Sequence, residues 1–279
     1  SGELRSIKGT LLLVKEALKR GFTEVYLPLS NAREAALVRG ITIYGVKDLG
    51  TVIKHLNDRP NETTPNKVLL TAASETEIAL IEGLLGFDFA EVRGQATAKR
   101  GLEIAAAGGH NVAMSGPPGT GKTMLAKAFT SILPPLNFDD IIETTGIHSA
   151  AGALTEELIV RPPFRSPHHT SSYVSLVGGG TWPKPGEITL AHRGVLFLDE
   201  FPEFEKRVIE SLRQPLEDKT ITVARAKHSI AFPANFILVA AMNPCPCGYR
   251  GHKERECICS SSALARYERK LSGPIIDRI

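Results

Sequence analysis

From Phe89 to its end, the chain alternates short apolar runs with amphipathic stretches. Residues 111–116, 194–200 and 235–243 are mostly apolar and end in polar residues, while apolar side chains recur every three or four positions between them. Short continuous apolar runs are typical of strands buried on both faces, and the intervening period predicts helices. The pattern therefore predicts an α/β fold with a parallel sheet between helices over residues 89–279.

The front of the chain carries a smaller version of this pattern. Residues 8–20 predict an amphipathic helix that ends at Gly21, residues 24–29 predict a strand, and residues 41–57 predict a second strand and helix. Residues 58–67 are polar and contain two prolines, which is typical of a linker. The predicted organisation is a small α/β unit over 1–57, a linker or connector over 58–88, and a larger α/β unit over 89–279.

Composition narrows the class of protein without identifying it. The 279 residues are 42% hydrophobic and 23% charged, as in ordinary globular proteins, and a net charge of +3 is too small to indicate nucleic-acid binding. No apolar run approaches the ~20 residues of a membrane-spanning helix, and the start lacks a signal-peptide pattern. We therefore expect a soluble, cytoplasmic protein with no membrane partner. Ser1 and Gly2 resemble an expression remnant and the chain ends without a polar tail, so we expect a fragment.

A phosphate-binding loop pattern, GPPGTGKT, follows the predicted strand at residues 111–115. In such a loop the glycines let backbone N–H groups turn toward phosphates at a helix start, Lys122 supplies a positive charge, and Thr123 offers its hydroxyl to Mg²⁺. The pattern predicts a nucleotide site with bound Mg²⁺. The predicted loop consists of Gly116, Pro117, Pro118, Gly119, Thr120, Gly121, Lys122 and Thr123.

Two further predicted strands end in polar residues that suit this site. Asp199 follows four apolar strand residues, which would bring it to the carboxyl edge of the sheet as a partner of the Mg²⁺ ion. Glu200 comes next, and a carboxylate there can polarise the attacking water, which favours hydrolysis over binding alone. Asn243 ends another buried strand, and its amide is a candidate sensor of the nucleotide.

All four cysteines lie close together in two C-x-C pairs. In a reducing cytosol structural disulfides are disfavoured, whereas four thiolates can hold one tetrahedral Zn²⁺. The spacing is not the common C-x₂-C pair, so a zinc site, free structural thiols and a redox function all stay open. The residues are Cys245, Cys247, Cys257 and Cys259.

A long segment rich in proline, glycine and histidine lies between the phosphate loop and Asp199. Residues 146–193 are too many for a passive loop in a compact domain, and an insertion of this length is usually either functional or disordered. His168 and His169 lie in it, close to Arg165, with no obvious third metal ligand. Their pattern favours solvent-facing or DNA-facing side chains over a metal site.

A basic β-hairpin is predicted before the strand that ends in Asn243. Residues 220–236 alternate around a predicted turn at Ala226. The tip would carry Arg225, Lys227 and His228, either as DNA contacts or as an exposed basic tip.

The order of these motifs, with the phrases RPPFRSPHHTSSYVSLVGGG, ITLAHRGVLFLDEFPEF, AAMNPCPCGY and LSGPIIDRI, resembles the ComM/YifB branch of magnesium-chelatase-like AAA+ ATPases. The resemblance covers nearly the whole chain. It implies a motor that hydrolyses ATP with Mg²⁺, forms ring hexamers and acts on DNA, since ComM is a helicase that promotes branch migration in natural transformation. It also implies that the family's helical lid and second sensor are missing from this chain, so we expect poor ATPase activity. The implied site residues are Lys122 and Thr123 of Walker A, Asp199 and Glu200 of Walker B, Asn243 as first sensor and Arg278 as an arginine finger acting on a neighbouring subunit.

Residues 1–57 resemble the second half of a Lon-protease-like domain, which has the S5 fold. The position of the Lon catalytic lysine holds Leu11, and the half that carries the nucleophilic serine is absent. A Ser–Lys pair needs both groups within hydrogen-bond reach, so we expect no proteolysis. Two alternatives to a DNA motor stay open: a chelatase-like motor that remodels a partner protein, and a nucleotide-regulated scaffold without hydrolysis.

Overall fold

The computed structural model describes residues 2–57, 70–74, 87–154, 158–180, 184–224, 229–271 and 273–279. Its helices are α1 (Thr10–Lys19), α2 (Ala32–Ala35), α3 (Leu49–Asn57), α4 (Ala96–Gly108), α5 (Lys122–Phe129), α6 (Phe138–Ala151), α7 (Tyr173–Val177), α8 (Glu187–Leu190), α9 (Lys206–Ser211), α10 (Arg213–Asp218), α11 (Ser261–Glu268) and α12 (Gly273–Ile276). Its strands are β1 (Glu24–Pro28), β2 (Thr42–Val46), β3 (Val112–Ser115), β4 (Phe164–Arg165), β5 (Gly178–Gly179), β6 (Lys184–Pro185), β7 (Val195–Leu198), β8 (Thr220–Ala224), β9 (Ser229–Pro233) and β10 (Ile237–Met242). Within these ranges, no helix combines the length and apolar character needed to cross a membrane.

The chain divides into two compact units. The first consists of Ser1–Ile81 with Phe138–Ile159, and the second consists of Glu82–Asn137 with Val160–Ile279. Helix α6 therefore belongs to the first unit although the second unit flanks it in sequence. Most of the predicted linker at 58–88 lies outside the described residues, and the predicted domain boundaries stay predictions.

The first unit packs helices around a two-stranded parallel sheet. Strands β1 and β2 pair in parallel, and α1 ends where the sequence predicts, because Gly21 has a left-handed φ of 83° and its amide bonds to Leu18 at 3.0 Å. The amphipathic pattern of α1 buries one stripe of the helix, which holds Leu11 and Val14 against a core that includes Ile142 of α6. The helix and both strands are thus as predicted.

The second unit is built on a four-stranded sheet in the order β3-β10-β7-β4, with every neighbouring pair parallel. This confirms the predicted α/β fold with a parallel sheet between helices. Successive strand residues point to opposite faces, and both faces of this sheet carry an apolar core. In β7, Phe197 packs with Leu125 and Phe129 of α5, while Leu196 packs on the other face with Val208 and Ile209.

The segment at 146–193 contains regular structure that the sequence does not predict. It holds the end of α6, the edge strand β4, helices α7 and α8 and the short β5–β6 pair, and both Leu176 and Ile188 are fully buried. Apart from α6, each of these elements is at most five residues long, too short for a periodic pattern. Arg165 of β4 forms two hydrogen bonds with Glu187 of α8, at 2.6 and 2.7 Å, which tie the edge strand to that helix.

The apolar period of residues 205–218 predicts one helix, but the structure has two helices there, α9 and α10. Pro215 lies in the first turn of α10 and has no backbone N–H to continue the hydrogen bonding of α9. The helical pattern of apolar residues continues across the break between α9 and α10, so the pattern alone does not predict the break.

The predicted basic hairpin is confirmed in its strands. Strands β8 and β9 pair antiparallel, from Thr220 opposite Pro233 to Ala224 opposite Ser229. Its tip, with Arg225, Ala226, Lys227 and His228, lies outside the described residues, so the proposed DNA contacts stay predictions.

Candidate nucleotide-binding site

The phosphate loop connects the end of β3 to the start of α5, as predicted. Gly119 and Gly121 have φ angles of 79° and 82°, a conformation that glycine adopts without steric cost. The loop is held to the sheet by a hydrogen bond from the Gly116 amide to the Met242 carbonyl at 3.3 Å, and it is closed by the Thr120 hydroxyl, which donates to the Pro117 carbonyl at 2.9 Å. The loop thus lies at the carboxyl edge of β3 and β10.

Lys122 directs its ammonium group into this loop. The Nζ atom donates to the carbonyls of Gly116 and Pro117 at 2.7 and 2.9 Å and lies 3.4 Å from Oδ1 of Asn243. Burial lowers the pKa of Lys122, and the negative charge of Asp199 opposes this shift. Phosphate oxygens are charged acceptors and bond an ammonium group more strongly than neutral carbonyls do. The lysine can therefore exchange its loop contacts for contacts with phosphate.

Thr123 and Asp199 meet at the same edge although 76 positions separate them. The threonine hydroxyl donates to Oδ2 of Asp199 at 2.7 Å, and Asp199 directly follows the last residue of β7. Mg²⁺ prefers oxygen ligands, with one or two supplied by carboxylates and others by phosphates and water. This hydroxyl–carboxylate pair fits the predicted magnesium site.

Glu200 has a contact that the sequence does not predict. Its carboxylate lies 3.0 Å from Nδ1 of His169, and its amide bonds to Oδ1 of Asp199 at 2.9 Å. Glu200 also has a left-handed φ of 52°, which is uncommon for a residue with a side chain. His169 reaches the site from the segment after β4, so that part of the predicted insertion lies beside the predicted water-activating carboxylate. The only signal in the sequence is the histidine pair itself.

Asn243 lies at the centre of the site because β10 runs between β3 and β7. Its side chain faces Lys122, and its backbone carbonyl accepts a hydrogen bond from the Tyr267 hydroxyl at 3.0 Å. Burial raises the pKa of Tyr267, so the hydroxyl stays protonated and keeps donating. Tyr267 belongs to α11 and is a second residue that sequence reasoning misses.

The four cysteines come together immediately after Asn243. Their Sγ atoms all lie within 4.8 Å of one another, and none forms a disulfide. A hydrogen bond with the Tyr249 backbone is the main cause that lowers the pKa of Cys247 to about 6. Between the two pairs, Gly248 lies so close to Pro118 of the phosphate loop that an added Cβ would approach its Cδ atom to 2.7 Å.

Arg278 is not brought to this site. The Arg278 carbonyl accepts a hydrogen bond from the Asn111 side chain, and Oδ1 of Asn111 accepts one from the Leu238 amide. The Arg278 guanidinium pairs with Glu217. Asn111 precedes β3, so Arg278 lies near the amino ends of the strands while the phosphate loop lies at their carboxyl ends. Its predicted role as a finger for a neighbouring subunit stays a prediction.

Comparison with known proteins agrees with this arrangement. The profile of the family described as "Magnesium chelatase, subunit ChlI" matches residues 88–279. The chain is similar to competence protein ComM of Haemophilus influenzae, with 44% identity over 282 residues, and to the uncharacterized protein YifB of Escherichia coli, with 41% identity over 285 residues. Each match covers 100% of this chain and 53% of the relative, so the chain spans about half the length of these relatives.

A more distant similarity extends to a subunit of magnesium chelatase itself. The magnesium-chelatase 67 kDa subunit of Heliobacterium mobile is 29% identical over 196 residues, which cover 58% of this chain and 29% of that subunit. The family profile spans the phosphate loop, the strand end with Asp199 and Glu200, and the strand end with Asn243. The chain belongs to the magnesium-chelatase-like AAA+ family, in its ComM/YifB branch.

Proposed function

We propose that this chain is the ATP-hydrolysing motor module of a DNA helicase of the ComM type, which works as a hexameric ring and promotes branch migration during natural transformation and recombination. The observation that carries the proposal is the meeting of Thr123 with Asp199 and of Lys122 with Asn243 at one edge of the sheet. The 44% identity with a competence protein supports a role on DNA.

Each site residue has a defined task in this proposal. Lys122 and the loop amides hold the phosphates, and Thr123 and Asp199 hold Mg²⁺, which neutralises charge on the phosphates when it is bound. Glu200 accepts a proton from the attacking water, and the Asn243 amide orients that water or the terminal phosphate. His169 keeps the Glu200 carboxylate in place through the 3.0 Å contact.

DNA-dependent turnover tests this function. The rate of ATP hydrolysis by the complete protein would be measured without DNA and with single-stranded, duplex and branched DNA. We expect DNA to raise the rate, with the largest effect from branched DNA, and we expect Arg225→Ala/Lys227→Ala to reduce this stimulation while the control Lys253→Ala keeps it. Equal rates with and without every DNA would contradict the DNA motor.

The second candidate is a motor that remodels a partner protein, and the 29% identity with a magnesium-chelatase subunit favours it. Such a motor would hydrolyse ATP at a rate that DNA leaves unchanged and that a protein partner raises. The same set of rates therefore separates the two candidates.

Arg278 is proposed to complete the site of the neighbouring subunit. Arg278 lies near the amino ends of the strands, whereas the phosphate loop lies at their carboxyl ends. The four residues of β3 separate these two edges by about 13 Å, so the location of Arg278 supports action on a neighbouring subunit and not on its own site. Arginine fingers raise phosphoryl-transfer rates by roughly 10³ to 10⁵. In the complete protein, Arg278→Ala should bind ATP and lose turnover, and mixing it with Lys122→Ala should restore part of the activity. The absence of recovery in rings verified to be mixed would argue against action in trans.

We also propose that the first unit has no protease activity. Leu11, at the position where the Lon resemblance expects a catalytic lysine, is fully buried in the hydrophobic core of that unit. An incubation of the complete protein with unfolded casein should release no peptides, and ATP-dependent cleavage would contradict this proposal.

A further inference from the structure

The thiol cluster after Asn243 has the dimensions of a metal site. Three of its Sγ–Sγ distances are 3.4 Å (Cys245 to Cys247), 3.7 Å (Cys245 to Cys257) and 3.6 Å (Cys247 to Cys257). Sulfur atoms about 2.3 Å from a tetrahedral Zn²⁺ are about 3.8 Å apart, whereas disulfide bonding requires about 2.05 Å. These three separations are close to those of ligands around one ion and are too long for bonded pairs, and Sγ of Cys259 lies within 4.8 Å of the other three.

We propose that Cys245, Cys247, Cys257 and Cys259 bind one Zn²⁺, and that the closed loop which results supports the phosphate loop through Gly248. Four thiolates satisfy a tetrahedral zinc ion without an open position, so the site is structural and not catalytic. The zinc half of the proposal stands on the cluster alone, and the support of the phosphate loop rests on the proposed nucleotide function.

The segment between the two pairs is mostly exposed, and the contacts that hold it are largely polar, such as that of Arg250 with Glu268 at 2.6 Å. Residues 248–256 contain no helix or strand, and five of the nine are Lys, Arg or Glu. Ordering such a segment costs conformational entropy that apolar burial does not offset here, so a metal cross-link has a clear physical role. Ile258, between two of the cysteines, is 88% exposed, as expected when both of its neighbours turn inward.

The backbone around the cluster is arranged to stabilise charged sulfur. The Cys247 amide donates to Sγ of Cys259 at 3.4 Å, and the Arg250 amide donates to Sγ of Cys245 at 3.3 Å. Hydrogen bonds of this kind orient metal ligands and reduce the charge that they carry. Each C-x-C pair thus contributes at least one sulfur that accepts a backbone hydrogen bond.

The cluster is connected to the nucleotide site at two points. Cys245 lies two residues after Asn243, and the Gly248 amide bonds to the Cys245 carbonyl at 2.9 Å, which closes a turn. That turn presses Gly248, with a left-handed φ of 85°, against Pro118 of the phosphate loop. A zinc ion that fixes the turn therefore restrains both Asn243 and the phosphate loop.

Metal analysis of the 279-residue chain, purified without added metal and dialysed, tests the zinc site. We expect about one zinc per chain, with replacement by Co²⁺ giving the intense visible bands of tetrahedral thiolate coordination. Cys257→Ser and Cys259→Ser should each lose most of this zinc, whereas the control Ile258→Ala should keep it. Zinc far below one per chain, together with four thiols that react at once in the native protein, would overturn the site. If Ile258→Ala lost as much zinc as the two cysteine variants, the zinc site would also be overturned.

A second measurement on the unmodified chain avoids variants that fail to fold. Zinc would be released with a chelator, and the affinity for a fluorescent ATP analogue would be compared before release, after release and after zinc is restored. We expect a several-fold loss of affinity that zinc reverses. Unchanged affinity after complete release would overturn the support of the phosphate loop, while a zinc-loaded chain that binds no nucleotide would instead contradict the proposed function.

Discussion

The hydrogen bond between Tyr267 and the backbone of Asn243 allows a sharp test of how the site is held. Tyr267 is 9% exposed, and its hydroxyl donates to the Asn243 carbonyl at 3.0 Å. Tyr267→Phe removes only this oxygen and keeps the aromatic packing. The carbonyl at the end of β10 then loses a partner that helps to fix the asparagine beside Lys122.

The expected loss follows from the geometry of this single bond. A neutral hydrogen bond contributes about 0.5–1.5 kcal/mol, and a buried carbonyl left without a partner costs about 1–3 kcal/mol. Asn243 is half-buried, so water can replace part of the lost bond, and we expect the free energy of unfolding to fall by about 1 kcal/mol. In a unit of this size, such a loss lowers the unfolding midpoint by about 2–4 °C.

The assay is thermal and urea unfolding of the 279-residue chain. Nucleotide binding stabilises the unit that holds the site, so the transition to be measured is the one that ATP shifts upward. Tyr249→Phe is the matched control, since its hydroxyl contacts Arg255 in an exposed loop at 2.7 Å and its removal should change stability by less than about 0.5 kcal/mol. Equal effects of the two substitutions, or no change in Tyr267→Phe, would refute the reasoning.

Three further substitutions test the phosphate site. Lys122→Ala should weaken ATP binding by about 10- to 100-fold, because a charge-assisted contact worth about 1.5–3 kcal/mol is lost, and an unchanged dissociation constant would contradict the assignment. In the complete protein, Glu200→Gln should bind ATP normally and hydrolyse it about 10²- to 10⁴-fold more slowly. Such a loss of turnover would also exclude a scaffold that does not hydrolyse ATP. Normal turnover would reject Glu200 as the base. Gly248→Ala should reduce both stability and ATP affinity, because its φ of 85° is unfavourable for alanine and the new Cβ would lie 2.7 Å from Pro118. The control Gly251→Ala has a similar φ of 75° but open space at its Cβ, so it should reduce stability alone. Wild-type ATP affinity in Gly248→Ala would refute the contact between Gly248 and the phosphate loop.

The sequence predicts those parts of the molecule that depend on local patterns. Apolar runs identify β3, β7 and β10, and the residues that follow these strands identify the phosphate loop, Asp199 and Asn243. In a parallel sheet the carboxyl ends of the strands share one edge, so their convergence is predictable even though the strand order is not. The apolar pattern does not distinguish the two helices at 206–218 from one continuous helix, because the break between them depends on a single residue, Pro215.

Contacts between distant segments are decided only by the tertiary structure. The approach of His169 to Glu200, of Tyr267 to Asn243 and of Gly248 to Pro118 each joins residues that no shared periodicity relates. They depend on the strand order β3-β10-β7-β4 and on how α11 and the cysteine loop pack beside it. The same holds for the grouping of α6 with the first unit, whose core includes Ile142, because a contact between segments this far apart in sequence is set by packing. The sequence by itself therefore determines which elements and which reactive groups exist, because periodicity and turn chemistry are local. The tertiary structure decides which of those groups meet, because contact between distant segments is set by the packing of the whole core.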